Sequence, residues 1–233
     1  MIKLLFFDLD GTLAPVGLPV PEKCVRALRR ISRKGVRIAV CSGKPVAYLN
    51  GFARQLGIDD IILCGENGLT YQFGVGLPPQ EYGALGIDDA DIASLARVAA
   101  SFKAEFGGRC WYQPNEYAFT PFPHDVRDFP RMRAFLEKAL KGTQLALYDH
   151  PDCFDILPRG ADKGKALLNI CALLGIDVKE TVAVGDHIND YPMFAVAGLS
   201  VGVSLAEKDR ARVNVRTPGQ ALDYLQKEIN KNV

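Results

Sequence analysis

The chain alternates between short runs of apolar residues and longer segments in which apolar residues recur every three or four positions. A continuous apolar run of four to six residues is typical of a strand that is buried on both faces, as in a parallel sheet. The helical spacing between the runs is typical of helices that cover such a sheet. The runs predict strands at residues 2–7, 36–41, 61–64, 181–184 and 199–203.

The segments between these strands carry the start and stop signals of helices. The first, residues 21–34, has Val25, Leu28 and Ile31 at helical spacing, begins with a proline and ends before Gly35. Strands and helices that alternate over such short distances are the pattern of a doubly wound parallel sheet, which is an α/β fold. The other helices predicted for this sheet cover residues 45–56, 163–174 and 221–229.

After the third strand the pattern changes to two amphipathic helices, residues 88–106 and 129–140, with several short strands around them. This mixture predicts a small α+β domain at residues 79–154. It is inserted into an α/β core formed by residues 1–78 and 155–233. The short strands are predicted at residues 109–115, 116–122, 143–148 and 153–157.

Polar residues follow the apolar strands at their carboxyl ends. Asp8 and Asp10 follow the first strand, Ser42 the second, Asn67 the third and Asp186 the fourth. In an open α/β sheet, ligands bind outside the carboxyl ends of the strands. Two carboxylates two positions apart share a side of an extended chain, and they repel unless a hard divalent cation or a shared proton compensates. The pattern therefore predicts a site at this edge of the sheet.

Four segments resemble the motifs of the haloacid dehalogenase (HAD) superfamily of phosphohydrolases. They are Asp8-Leu9-Asp10-Gly11-Thr12, Ser42-Gly43-Lys44, Lys163 at the start of a helix, and the run from Gly185 to Met193. Taken alone, the first segment is equally compatible with a polar turn. The order and spacing of all four identify the chain as similar to this superfamily over its whole length. An inserted domain between the second and third motifs resembles the Cof-type branch, which includes archaeal phosphoglycolate phosphatases and sucrose-phosphate phosphatases.

This resemblance implies roles for individual residues. Asp8 is the expected nucleophile, which forms an aspartyl-phosphate, and Asp10 is the expected general acid and base. The expected cofactor is Mg²⁺, held by Asp8, the main-chain carbonyl of Asp10, Asp186 and Asp190. Lys165 competes with Lys163 for the role of the motif lysine, but the Lys-Gly-x-Ala-Leu register of the motif favours Lys163. The expected phosphate-binding residues are Ser42, Gly43, Lys44 and Lys163, with Thr12, Asn67 and Asn189 in support.

The resemblance also implies a phosphatase that acts on a small phosphorylated metabolite, such as phosphoglycolate or a sugar phosphate. Two alternatives stay open. One is a phosphomutase, because phosphomannomutases share the position of the inserted domain and a Glu66-Asn67-Gly68 segment. The other is a non-catalytic binding protein on the same fold. The inserted domain is expected to close over the substrate, with candidate contacts at Trp111, Tyr112, Tyr117, Phe119 and His124 unless these side chains form the domain's own core.

Composition narrows the class of protein. With 233 residues and a formal charge of +1, the chain has no overall field that would gather nucleic acid or an anionic membrane. No apolar stretch approaches the roughly 18 residues that span a bilayer, and Met1 leads directly into the first strand, so we expect a cytoplasmic protein. The six cysteines have no Cys-x-x-Cys spacing and are expected to be reduced core thiols. The oligomeric state is open.

Overall fold

The computed structural model describes residues 1–231, and the five strands predicted for the parallel sheet lie within about two residues of the observed positions. In chain order the strands are β1 (Leu4–Asp8), β2 (Arg37–Cys41), β3 (Ile62–Gly65), β4 (Thr70–Phe73), β5 (Glu81–Ala84), β6 (Cys110–Tyr112), β7 (Pro121–Pro123), β8 (Leu145–Asp149), β9 (Phe154–Pro158), β10 (Thr181–Gly185), β11 (Leu199–Val203) and β12 (Val213–Val215).

The α-helices also follow the predicted pattern, and several begin or end within a residue or two of the predicted bounds. They are α1 (Glu22–Ser32), α2 (Val46–Ala53), α3 (Asp89–Phe106), α4 (Phe129–Ala139), α5 (Lys163–Leu174), α6 (Tyr191–Val196) and α7 (Pro218–Lys231).

Eight strands form one sheet in the order β12-β11-β10-β1-β2-β3-β4-β5. The first six strands of that order are parallel, whereas β4 and β5 run antiparallel to their neighbours. The predicted α/β fold is therefore confirmed. The strand β1 lies between β10 and β2, so the carboxyl ends of the strands that carry the predicted site residues meet at one edge.

Alternate residues of β1 enter two separate cores. Leu5 and Phe7 pack in the core that contains residues of α1, α2 and α7, whereas Leu4 and Phe6 pack in the core that contains residues of α5 and α6. All four side chains are buried because helices cover both faces of the sheet. This burial explains why β1 reads as a continuous apolar run rather than as an alternating pattern.

Strands β4, β5 and β12 were not predicted. In β4 the polar Thr70 and Gln72 are buried together with Tyr71, so this strand has no apolar run that marks it. The strand β5 lies at the sheet edge and is mostly exposed, and an edge strand needs no apolar face. The prediction of a strand over residues 116–122 was largely wrong, since the observed strand β7 overlaps that range only at residues 121–122.

The described chain forms two compact units. One contains Met1–Leu85 and the chain from Asp162 onward, and the other is Gly86–Ala161. Both divisions lie several residues later than the expected bounds of 79 and 154. They do so because β5 pairs with β4 in the large sheet, whereas β9 pairs with β8 in the second unit.

The second unit has a core of its own. Helices α3 and α4 supply Phe102 and Met132, and the two hairpins β6–β7 and β8–β9 pack against them. Phe119 is part of this core, and the ring of Tyr112 stacks on it with the ring centroids 5.8 Å apart. Among the predicted contact residues of the inserted domain, Trp111 and His124 are exposed.

Two expectations from composition can be compared with the fold. All six cysteines are buried, as expected for core thiols. Within residues 1–231, the helices are too short or too polar to cross a membrane.

Candidate active site

A buried lysine joins two of the predicted carboxylates. Asp8 is the last residue of β1, and Lys163 is the first residue of α5. The Lys163 Nζ lies 2.5 Å from Asp8 Oδ1 and 2.6 Å from Asp190 Oδ1, and its side chain is only 1% exposed. Lys165, by contrast, is exposed. Lys163 is therefore the lysine that reaches the carboxylates, as the motif register had favoured.

The start of α5 is built so that Lys163 enters the site. The Asp162 side chain caps the helix by accepting a hydrogen bond from the Lys165 main-chain N–H at 2.8 Å. Gly164 allows close packing against α6, because a Cβ at this position would lie 2.5 Å from the Pro192 carbonyl oxygen. The cap and the glycine together set the rotation and depth of the first turn.

Asp186 is the residue directly after β10. Its Oδ1 accepts a hydrogen bond of 2.7 Å from the Thr12 hydroxyl. The Oδ2 of Asp190 accepts hydrogen bonds from the main-chain N–H groups of Asp186 and His187 at 2.8 and 3.0 Å. Asp190 thus orders the turn that carries Asp186 while its other oxygen binds Lys163.

Gly11 leaves the space that Asp186 fills. Its φ is +86°, a conformation that strongly favours glycine, and a Cβ there would lie 2.3 Å from Asp186 Oδ2. The glycine of the first motif is therefore required both by the turn and by the carboxylate next to it.

The site holds more negative than positive charge. Burial raises the pKa of Asp8 to about 7, because desolvation and the Asp190 charge outweigh the attraction of Lys163. Burial also raises the pKa of Asp186. Burial alone would lower the pKa of Lys163, but Asp8 and Asp190 outweigh this effect and raise it, so the lysine stays charged.

Asp10 makes a different contact from the other carboxylates. Its Oδ2 lies 2.8 Å from the Lys44 Nζ, at the loop that follows β2. The ammonium of Lys44 is desolvated, but its hydrogen bond to Asp10 raises its pKa above the ordinary value. The main-chain N–H of Lys44 also donates to the Ser42 Oγ at 3.3 Å. Ser42 and Lys44 therefore belong to one turn at the carboxyl end of β2.

The loop after β3 supports that turn. The Asn67 main-chain N–H donates to the Ser42 carbonyl at 2.9 Å, and the Glu66 main-chain N–H donates to the Lys44 carbonyl at 3.0 Å. Both residues have positive φ values. Glu66 is buried and was not among the predicted site residues, although its position directly after a strand was a signal. Asn189 is exposed and lies outside this set of contacts.

The geometry fits a hard metal ion. Asp8, Asp186 and Asp190 each offer a carboxylate oxygen within 4.8 Å of the others. Oxygen donors alone suit Mg²⁺ or Ca²⁺ rather than a soft transition metal. A divalent cation would also balance the excess negative charge that raises the pKa of Asp8. The residues present are therefore compatible with such an ion.

The chain matches a known protein family and is similar to enzymes of known function. Residues 5–73 and 114–213 match the family described as haloacid dehalogenase-like hydrolase. The chain is 27% identical over 221 residues to a phosphoglycolate phosphatase of Methanopyrus kandleri, and the aligned region covers 91% of this chain and 89% of that protein.

Solved structures share the fold. TM0651 of Thermotoga maritima superposes with a TM-score of 0.78 and 19% identity, covering 96% of this chain and 97% of that one. The HAD subclass IIB sugar phosphatase BT4131 superposes with a TM-score of 0.71 and 20% identity, covering 96% and 99%. At these identities the structural similarity establishes the fold alone.

Proposed function

Because the chain belongs to the haloacid dehalogenase-like hydrolase family and is a phosphoric monoester hydrolase, we propose that it dephosphorylates a small metabolite through an aspartyl-phosphate on Asp8. The observation that carries this proposal is the position of the Asp8 carboxylate. It lies at the carboxyl end of the central strand, against a buried ammonium and beside two further carboxylates.

We propose Mg²⁺ as the cofactor. Asp8 and Asp186 would hold it together with the main-chain carbonyl of Asp10. Asp190 would mainly orient the site, because its two oxygens already accept hydrogen bonds from Lys163 and from main-chain N–H groups. When bound, the cation supplies charge that offsets the repulsion between a carboxylate and a phosphate dianion.

In the first step, an Asp8 oxygen attacks the phosphorus and the bond from phosphorus to the ester oxygen breaks. Asp10 donates its proton to the departing alkoxide. In this proposal the Lys163 ammonium, the Ser42 hydroxyl and the Gly43 main chain would stabilise the phosphoryl oxygens. Asp8 then carries the phosphoryl group.

In the second step, Asp10 takes a proton from a water molecule, which attacks the phosphorus. The bond between phosphorus and the Asp8 oxygen breaks, so inorganic phosphate leaves and the Asp8 carboxylate is restored. Asp10 therefore acts as an acid and then as a base, and it ends the cycle protonated, as it began.

The proposed substrate is a small phosphorylated metabolite of the phosphoglycolate or sugar phosphate type. The named relatives support this class, since one is a phosphoglycolate phosphatase and a structural neighbour is a sugar phosphatase. They differ in substrate, so the likeness supports the class rather than one compound.

The test is phosphate release from p-nitrophenyl phosphate and a panel of small phosphorylated metabolites, with Mg²⁺ and with EDTA. Wild type is compared with Asp8→Asn and with Asp59→Asn, a change at an exposed aspartate of the same unit. We expect metal-dependent release that Asp8→Asn abolishes and Asp59→Asn retains. Release that survives in a folded Asp8→Asn variant would overturn the role of Asp8.

The same panel tests the alternatives. Conversion of a hexose 1-phosphate to the 6-phosphate without release of phosphate would replace the phosphatase by a mutase. A folded protein that neither turns over any substrate nor binds Mg²⁺ would indicate a binding protein on this fold.

A further inference from the structure

The motif resemblance implies that Lys44 binds the substrate phosphate. We propose instead that Lys44 is a positioning residue for Asp10. This inference rests on the function proposed above, in which Asp10 protonates the leaving group. The ion pair between the Lys44 Nζ and Asp10 Oδ2, at 2.8 Å, is the observation from which it starts.

Asp10 benefits from such a partner because the position of its main chain does not by itself select a side-chain rotamer. It lies after the end of β1, and the next residue, Gly11, has a φ of +86°. A carboxylate beyond the regular strand can adopt several rotamers, and general acid catalysis requires one of them. Lys44 selects one rotamer by binding one oxygen.

Three groups of Lys44 are held by contacts: its carbonyl, its main-chain N–H and its ammonium. Its carbonyl accepts a hydrogen bond from the Glu66 main-chain N–H, and its own N–H donates to Ser42 Oγ. Its ammonium lies 5.6 Å from the centre of the Tyr48 ring, which lies in the first turn of α2. The side chain of Lys44 is only about one-third exposed. It is therefore a fixed partner rather than a mobile surface charge.

The pair also distinguishes the two oxygens of Asp10. An ammonium can only donate hydrogen bonds, so Oδ2 acts as the acceptor for Lys44. The proton that Asp10 transfers is then carried on Oδ1, which leaves that oxygen to face the leaving group. Lys44 thus orients the proton as well as the carboxylate.

A different ammonium, that of Lys163, is available to bind the phosphate. Lys163 is buried beside the Asp8 carboxylate, which is the proposed nucleophile, whereas the Lys44 ammonium contacts Asp10. The two lysines divide the work between the phosphoryl group and the acid.

This division has a measurable consequence for different leaving groups. An alkoxide is a strong base and needs a proton as it departs, whereas p-nitrophenolate is stable without one. The ratio kcat/KM covers the steps up to transfer of the phosphoryl group to Asp8, which is where the leaving group departs. Loss of a residue that positions the acid therefore affects alkyl phosphates selectively. Loss of a phosphate ligand affects both substrate types alike.

The experiment measures kcat/KM for p-nitrophenyl phosphate and for an alkyl phosphate from the panel in wild type, Lys44→Met and Lys44→Arg. We expect Lys44→Met to lower kcat/KM for the alkyl phosphate by about 10- to 100-fold and for the aryl phosphate by less than about 3-fold. Lys44→Arg, which keeps the donor, should restore most of the loss. Lys165→Met is the matched control, since it removes an exposed lysine.

A double-mutant cycle adds a second readout. If Lys44 acts through Asp10, then Lys44→Met should cause little further loss in an Asp10→Asn background. Circular dichroism and thermal unfolding show whether each variant is folded. Equal losses for both substrate types, no loss for either, or additive losses in the cycle would overturn the proposal.

These results are separable from a failure of the proposed function. If wild type hydrolyses neither substrate, then the phosphatase assignment has failed. If wild type hydrolyses both and Lys44→Met affects them equally, then the assignment stands and only the role of Lys44 is wrong.

Discussion

The Lys163 ammonium and the Asp8 carboxylate are 155 residues apart in the chain and 2.5 Å apart in the structure. Asp190 contacts the same ammonium at 2.6 Å. Because all three groups are buried, each charge depends on the others, so Lys163 should support the fold in addition to its proposed role at the phosphoryl group.

Removal of Lys163 should affect both stability and activity. We expect Lys163→Met to lower the free energy of unfolding by about 3–5 kcal/mol in EDTA, because Asp8 and Asp190 lose their buried counter-charge. Lys165→Met should change it by less than about 0.5 kcal/mol. Urea denaturation of both variants measures the difference. Equal stabilities would contradict the buried pair.

Gly11 should be less tolerant of alanine than Gly17, although both have a positive φ. A Cβ at Gly11 meets Asp186 Oδ2 at 2.3 Å, whereas a Cβ at Gly17 meets nothing within 4 Å. Gly17→Ala should cost about 1 kcal/mol of stability and keep activity. Gly11→Ala should in addition weaken Mg²⁺ binding by about 10-fold or more.

Isothermal titration with Mg²⁺ and phosphate-release assays separate the two effects. Similar Mg²⁺ affinities in the two glycine variants would show that Gly11 matters only for the turn.

Without metal, stability should fall as the pH rises. The pKa of Asp8 is raised from 3.8 to about 7, so the folded protein binds this proton more tightly than the unfolded chain. The contribution of this group is fully present below about pH 4 and is lost as the pH rises through about 7, by an amount on the order of a few kcal/mol. Urea midpoints in EDTA between about pH 5 and about pH 8 test this.

Asp8→Asn should flatten that pH dependence, because the amide does not titrate. Saturating Mg²⁺ should reverse it, since the cation competes with the proton for the carboxylates. An unchanged slope in Asp8→Asn would assign the effect to another group.

The second unit should show its own pH dependence. His150 Nε2 lies 3.2 Å from Asp155 Oδ2, and this hydrogen bond raises the pKa of His150 above 6.5. The pair therefore contributes stability that is fully present below about pH 6.5 and is lost as the pH rises through the folded-state pKa. Thermal unfolding with saturating Mg²⁺ should show this loss in wild type.

His150→Gln should remove that loss, and His124→Gln, at an exposed histidine of the same unit, should retain it. A loss that persists in His150→Gln would exclude this pair as its source.

Several features were predictable from sequence because they depend on local patterns. Buried parallel strands read as apolar runs, so the strands that carry Asp8, Ser42 and Asp186 could be placed within about two residues of their observed ends. Strands β4, β5 and β12 were missed because an antiparallel addition with buried polar residues or an exposed edge has no such run. The bounds of the second unit differ from the expected ones because β5 pairs with β4 in the large sheet and β9 pairs with β8 in the second unit, and strand pairing is not visible in local patterns.

The sequence by itself determined the α/β fold and the set of polar residues at the strand ends, because strand direction alone brings those ends to one edge. The motif register favoured Lys163 over Lys165, but only the tertiary structure shows which one reaches the carboxylates. The two lysines lie about 200° apart around α5, so the packing of that helix on the sheet buries Lys163 and exposes Lys165. The pairing of Asp10 with Lys44 was likewise decided in three dimensions, because it joins the loops after two neighbouring strands. Local sequence patterns specify which polar residues follow each strand, whereas tertiary packing specifies which charged group each of them contacts.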